Sequence, residues 1–218
     1  MSSSNVKKAL SVSRLSTYEA VLVNGKALNT EQALKLYAWN AQISAAFFAP
    51  LHLCEVIIRN AVADGIERVY GTNWPWSRAF EISLPNPTKG YSPRKDLINA
   101  RRGMTTTGKV IPELKFVFWE KLLTKRFDGR LWKPFLFSVF PNYDQKLTVS
   151  EMRNRLRSLL ENVRGLRNRI AHHEPIIGRN LETDFENIDA VIQYRCIDTA
   201  IWSYRNQLVI PLMGLKPF

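Results

Sequence analysis

Apolar residues recur at three- and four-residue spacing along most of the chain, which is the spacing of helices with one buried face. Residues 1–13 are polar and predict a flexible, poorly ordered start. Asn29 or Thr30 then offers an N-cap for a helix through Glu31, Leu34, Tyr37, Ala38 and Ala41 to about Ala49. Pro50 is expected to end or kink that helix, or to serve as the first residue of the next one. The next helix carries Leu51, Cys54, Ile58, Val62, Ile66 and Val69 on one face, and Gly71 closes it.

Residues 74–112 form an irregular insertion with prolines at 75, 85, 87, 93 and 112. Within it, Ser92-Pro93 predicts a short helix through Leu97, Ile98 and Ala100, ending near Gly103. Pro112 to Arg126 reads as an aromatic-rich helix, Asp128-Gly129 as a turn, and Leu131 to Phe140 as a short apolar segment. Thr148 and Glu151 make a capping box that opens a long helix. Its stripe of Leu156, Leu159, Leu160, Val163, Leu166 and Ile170 faces a core, and Glu174-Pro175 is expected to stop it. Thr183 with Glu186 is a second capping box, and Phe185, Ile188, Val191, Ile192 and Ile201 fill the last long helix. No alternating run is long enough to build a sheet. The expectation is an all-α protein with one helical domain over residues 14–218.

Composition changes this picture only in charge. Hydrophobic residues at 45% and charged residues at 23% exclude a disordered or fibrous chain. Lys and Arg total 31 against 19 acids, a net charge of +12 that attracts polyanions, nucleic acid first, and that equally serves solubility. Cys54 and Cys196 stand alone in apolar stretches with no CxxC or Cys/His cluster, so neither a metal site nor a cofactor is expected. The N-terminus lacks an apolar signal core, and no uncharged apolar run is seen to approach the ~20 residues of a membrane span. A cytoplasmic protein without membrane contact is the expectation. Trp74, Trp76, Trp119 and Trp132 are expected in the core rather than stacked on bases, and His52 is expected as a core or interface histidine.

Chemistry concentrates in Arg167-Asn168-Arg169-Ile170-Ala171-His172-His173-Glu174-Pro175. On an ideal helix Asn168 and His172 are neighbours, on a face turned away from the leucine stripe, with Arg164 flanking them. Six arginines lie between positions 153 and 169, against Glu161 alone. Imidazole moves a proton near neutral pH and guanidinium grips phosphate in a fork. Cleavage of RNA without a metal needs both abilities. Residue types alone are also those of a solvated basic helix end with His172 as its C-terminal cap. Glu55 and Arg59 stand four apart with the acid first, the favourable order for an ion pair within a helix.

The string Arg167-Asn168-x3-His172 resembles the Arg-x4-6-His signature of the HEPN ribonucleases, and His173 permits a second register. Glu55-x3-Arg59-Asn60 with the following Gly71-x2-Trp74 resembles the Abi-like (abortive infection) family of that class. Leu15-x2-Tyr18, Tyr37-x-Trp39-Asn40 and Phe118-Trp119-x2-Leu122-Leu123 also look like that family, so the likeness spans roughly residues 14–205 and is weakest over 77–108. The resemblance implies a HEPN-like helical bundle and a metal-independent endoribonuclease acting in phage defence or as a toxin. It implies a homodimer whose two motifs face each other, RNA as substrate, and an antitoxin protein or associated RNA as a further partner. Arg167, Asn168 and His172 would be catalytic, His173 and Arg164 a second catalytic or substrate pair, and Glu55, Arg59 and Asn60 supporting or substrate-binding residues. The alternative is a non-catalytic module of the same fold that binds RNA or protein.

Overall fold

The computed structural model describes residues 2–218 and places twelve α-helices in them. Ser3–Leu10 (α1) and Val12–Glu19 (α2) come first, so most of the segment expected to be poorly ordered is helical. Lys7 explains part of this, because its ammonium meets the Glu19 carboxylate at 2.7 Å and ties the two helices together. A hairpin follows, with Leu22–Val23 (β1) paired antiparallel to Lys26–Ala27 (β2). Its two-residue turn, Asn24-Gly25, has φ values of 51° and 75°, the left-handed pair that a tight hairpin needs and that these residue types adopt most readily.

Thr30–Tyr70 (α3) is a single helix of 41 residues, about 60 Å long. A reciprocal cap opens it: the Asn29 side chain accepts from the Gln32 amide at 2.9 Å, and the Gln32 side chain accepts from the Asn29 amide at 3.0 Å. Of the places expected for Pro50, it takes neither the end of one helix nor the start of the next; it lies buried inside a single helix. A proline here removes one backbone bond and strains the turn before it, a cost of about 3 kcal/mol. The buried stripe offsets that cost, since Ile43, Phe47, Leu51, Cys54, Ile58, Val62 and Ile66 continue through the proline on one face. Ending the helix there would bury unpaired backbone groups on both sides. Gly71, with φ of 80°, closes the helix as expected.

The insertion folds as short helices: Arg78–Ser83 (α4), Pro93–Ala100 (α5) and Thr107–Val110 (α6). The Ser92 hydroxyl caps α5 at its predicted start. Arg101 fastens the insertion by donating to Glu81 at 2.6 Å and to the Pro75 carbonyl at 2.7 Å. The aromatic-rich helix expected over 112–126 is shorter, Phe116–Leu122 (α7), because Leu114 and Lys115 are extended before it. A π-helical turn over Asp128–Trp132 leads into Lys133–Val139 (α8). Trp74, Trp119 and Trp132 are fully buried, as expected of core aromatics, whereas Trp76 is partly exposed.

Val149–Ala171 (α9) opens on the predicted Thr148–Glu151 capping box. Leu181–Arg195 (α10) is capped by Asn180, whose side chain accepts from Thr183, and not by the expected Thr183–Glu186 box. The expected single last helix is also interrupted: Cys196 is extended, with φ of −158°, and Ile197–Asn206 (α11) and Val209–Met213 (α12) follow. The core lies where α3, α9 and α10 pack on one another, with Leu156, Leu160, Val163 and Leu166 of α9 and Phe185, Ile188, Val191 and Ile192 of α10 all buried.

The length of α3 also overturns the expectation that no uncharged apolar run approaches that of a membrane span. Nineteen consecutive uncharged residues, Leu36 to Cys54, separate Lys35 from Glu55. An 18-residue stretch of this helix is long and apolar enough to cross a membrane, and 33% of it is buried within the molecule.

Candidate active site

The arginines of α9 divide by what lies opposite them. Arg153 meets the buried Asp128 at 2.6 Å, and Arg164 meets the fully buried Glu120 at 2.6 Å. These two stand eleven residues apart, three helical turns, and so lie on one face of α9. They rivet the helix to α7 and to the π-helical turn. Arg157 pairs with Glu161 at 3.0 Å, and Arg155 lies over the Tyr194 ring at 5.9 Å. Arg164, expected as a second substrate group, thus has its Nε committed to a carboxylate, while 35% of its side chain stays exposed. Arg167 is differently placed.

Glu55 and Arg59, one turn apart on α3, form the ion pair their spacing predicts, and both are largely buried. The second oxygen of Glu55, Oε2, lies 3.8 Å from Nε of Arg167 on α9. One carboxylate therefore stands between two guanidiniums contributed by helices 112 residues apart in sequence, from position 55 to position 167. The local charge is one positive in excess. Arg167 keeps 46% of its side chain exposed, and its Nη1 is 3.4 Å from Oδ1 of Asn168. The Nε of Arg59 is buried without a hydrogen-bond partner among the described residues. Asn60, next along α3, is exposed, with no side-chain hydrogen bond to the described residues.

The two histidines occupy the turn that ends α9. His172 is the C-cap, and its amide donates to the Asn168 carbonyl at 2.9 Å. His173 has φ of 55°, a left-handed backbone usually given to glycine. Its amide donates to the Ile170 carbonyl at 3.0 Å, and the Glu174 amide reaches the Arg169 carbonyl at 2.8 Å. This is the Schellman arrangement, which satisfies the last free carbonyls of a helix. Both imidazoles are exposed.

Two distant residues hold the turn in place. Arg14 of α2 donates from Nη1 to the His173 carbonyl at 2.7 Å, and the buried Asn40 of α3 accepts from the Ile176 amide at 2.8 Å. The histidine turn is thus exposed in its side chains and anchored in its backbone. The Trp39-Asn40 pair singled out from the sequence has a structural role here, with Trp39 donating to the Leu212 carbonyl at 2.8 Å. Arg14 carried no sequence signal, because its contact spans 159 residues.

His173 also lines a groove of about 680 Å³ with Tyr18, Tyr37, Ser44 and Phe48; His172 does not. Tyr18 packs edge-on against Tyr37 with centroids 5.1 Å apart. Burial, with Tyr37 adding to it and Arg14 opposing it, pushes the Tyr18 phenol up to about 12, so it stays protonated near neutral pH. His52, expected in a core or interface, is exposed on the outward side of α3 beside a second groove with Phe48 and Trp202, which excludes the core. The structure brings Glu55, Arg59, Arg167 and Asn168 together with the histidine turn one helical turn beyond, and it leaves Asn60 outside that cluster. No protein-family model, curated protein or solved structure shows a significant match to this chain.

Proposed function

We propose that this protein is a metal-independent endoribonuclease of the HEPN type, related to the Abi-like proteins, and that it serves phage defence or toxin-like growth arrest. The observation that carries the reading is the Glu55 carboxylate between Arg59 and Arg167. Two sequence motifs recognised independently, one in each helix, meet at that carboxylate. Glu55 lies 3.8 Å from Nε of Arg167 and Asn168 accepts from its Nη1 at 3.4 Å, so the exposed guanidinium is steadied on one side and keeps Nη2 to meet a phosphate. In the reaction, the ribose 2′-oxygen attacks phosphorus, the bond to the 5′-oxygen breaks, and a 2′,3′-cyclic phosphate and a 5′-hydroxyl result. His172, or His173 in the second register, takes the 2′-hydroxyl proton or returns one to the leaving 5′-oxygen. Arg167 balances charge on the phosphorane-like transition state, and Asn168 orients Arg167. RNA is the substrate and a second copy completes the site; an antitoxin protein or an associated RNA is the regulator that such activity requires.

A second reading, a non-catalytic module that binds RNA or protein, is favoured by one observation: both imidazoles lie on open surface in a single copy. Incubation of mixed cellular RNA with the protein in EDTA separates the two. Cutting by the wild type with cyclic-phosphate ends, lost in Arg167→Ala and in His172→Ala or His173→Ala, supports the nuclease. Folded wild type that binds RNA and never cuts it replaces the nuclease by the binding module.

A further inference from the structure

Two stretches singled out in the sequence, Leu15-x2-Tyr18 and Tyr37-x-Trp39-Asn40, take no part in the proposed reaction. They meet in the groove of about 680 Å³ beside His173, which Tyr18, Tyr37 and Asn40 all line. Tyr18 and Asn40 are 1% and 7% exposed, yet neither has its polar atoms fully engaged. Asn40 Oδ1 accepts from the Ile176 amide at 2.8 Å, which fixes the side-chain amide and turns its Nδ2 the other way. That nitrogen and the Tyr18 hydroxyl make no hydrogen bond to the described residues, and neither is sealed from solvent. Both therefore open on the groove that their residues line. The Tyr18 phenol keeps its proton near neutral pH and so remains a donor. Ser44, half-buried in the same wall, adds a further hydroxyl.

We propose that this groove is a nucleobase pocket of the RNA site, one that takes a base presenting a carbonyl oxygen to Asn40, uracil before adenine. A mostly apolar concavity with a few convergent polar groups is the usual form of a site for a small ring compound. Tyr37 and Phe48 offer flat faces on which a base can stack. Asn40 Oδ1 is held by Ile176, so the side chain has only donors to offer. Asparagine reads adenine with a donor and an acceptor together, and half of that match is lost here. A carbonyl of uracil needs the donor alone. Charge points the same way: among the described residues no lysine or arginine lines the groove, and Glu174 does, so the groove suits a neutral ring and not a phosphate. An apolar helix or an acyl chain laid there would strip water from Asn40 and Tyr18 and leave both unpaired, whereas the edge of a base pairs them.

The place of this pocket along a substrate rests on the nuclease reading. Ile170 and Ala171, which line the groove, lie one turn beyond Arg167 on α9, and His173 lines it too. The bound base then belongs to a nucleotide next to the phosphate at Arg167, with the His173 imidazole on the border between them. Such a pocket sets which bond is cut.

Fluorescence anisotropy of the full chain with labelled decamers of deoxyuridine, deoxyadenosine and abasic deoxyribose tests the pocket apart from any activity. The three probes carry equal charge, and none has the 2′-hydroxyl that the proposed reaction needs. Deoxyuridine is expected to bind about tenfold or more tighter than the abasic decamer, and about threefold tighter than deoxyadenosine. Asn40→Asp keeps an oxygen for the Ile176 amide but removes the donor, and should erase the preference for deoxyuridine over deoxyadenosine. Tyr18→Phe keeps the ring against Tyr37 and should cut the advantage over the abasic probe by about threefold. Circular dichroism checks the fold of each variant, and Ser44→Ala replaces Asn40→Asp if that protein does not fold. Equal binding of deoxyuridine and abasic decamers, adenine held as tightly as uracil, or preferences untouched by the variants would each overturn the pocket. Cleavage is scored separately: uncut RNA with the base preference intact removes the nuclease and keeps the pocket, and cutting without any base preference does the reverse.

Discussion

At the scale of single residues, the end of α9 spends stability where glycine would save it. His173 holds a left-handed backbone at a helix C-terminus, a position at which a side chain costs about 1 kcal/mol relative to glycine. His173→Gly is therefore expected to raise stability by roughly 0.5–1 kcal/mol in urea unfolding. His172→Gly, at a position of ordinary negative φ, is expected to lower it. Strain of this kind collects at functional positions. The cysteines make a second contrast. The Thr199 hydroxyl beside Cys196 holds that thiol below the usual cysteine value, while burial pushes Cys54 well above it. Since the thiolate is the reactive form, iodoacetamide is expected to label Cys196 at a pH where a free cysteine is still mostly protonated, and to leave Cys54 unmodified until the protein unfolds. Equal labelling of both thiols in the native protein would contradict this ordering.

At the scale of elements, Asn40 is the clearest case of a loop held to a helix by a single side chain. Asn40→Ala would leave the Ile176 amide buried and unpaired, a loss of about 1–3 kcal/mol. Thermal unfolding should register that loss, and hydrogen exchange should quicken in residues 172–176 before it does in α10. What the sequence made legible follows the same division. Caps and stripes located α5 and α9 closely, because those signals are local and repeat within a turn or two. Pro50 misled because a proline's cost is local, whereas the stripe that outweighs it runs along both sides of it. The six arginines of α9 read as one basic surface, although Arg153 and Arg164 are neutralised by Asp128 and Glu120, acids that lie on other elements. The Glu55–Arg59 pair was readable from spacing; its reach to Arg167 needed the packing of α3 on α9. Arg14 and Asn40 were unreadable as anchors of the histidine turn, since nothing near them in sequence names their partner.

At the scale of the whole molecule, the +12 charge makes any RNA complex sensitive to salt. Binding of a single-stranded RNA should weaken linearly on a log–log plot against salt, with a slope of roughly −0.7 for each phosphate contacted. Arg167→Ala should shallow that slope by about one contact, and an unchanged slope would place the phosphate elsewhere. The long α3 also sets a distance. Asn40 and Glu55 lie fifteen residues apart on one rod, about 22 Å, and they hold Ile176 and Arg167 respectively. Eight residues, 168–175, therefore bridge two fixed posts: a last turn of helix from Arg167, then the histidine turn. A string tied at both ends can change its beads but not its length. Residues 172–175 should thus keep their fold through many replacements in side chain, whatever becomes of activity, yet one residue added or removed there would slacken or overdraw the span and unseat the arginine, the histidines and the loop together.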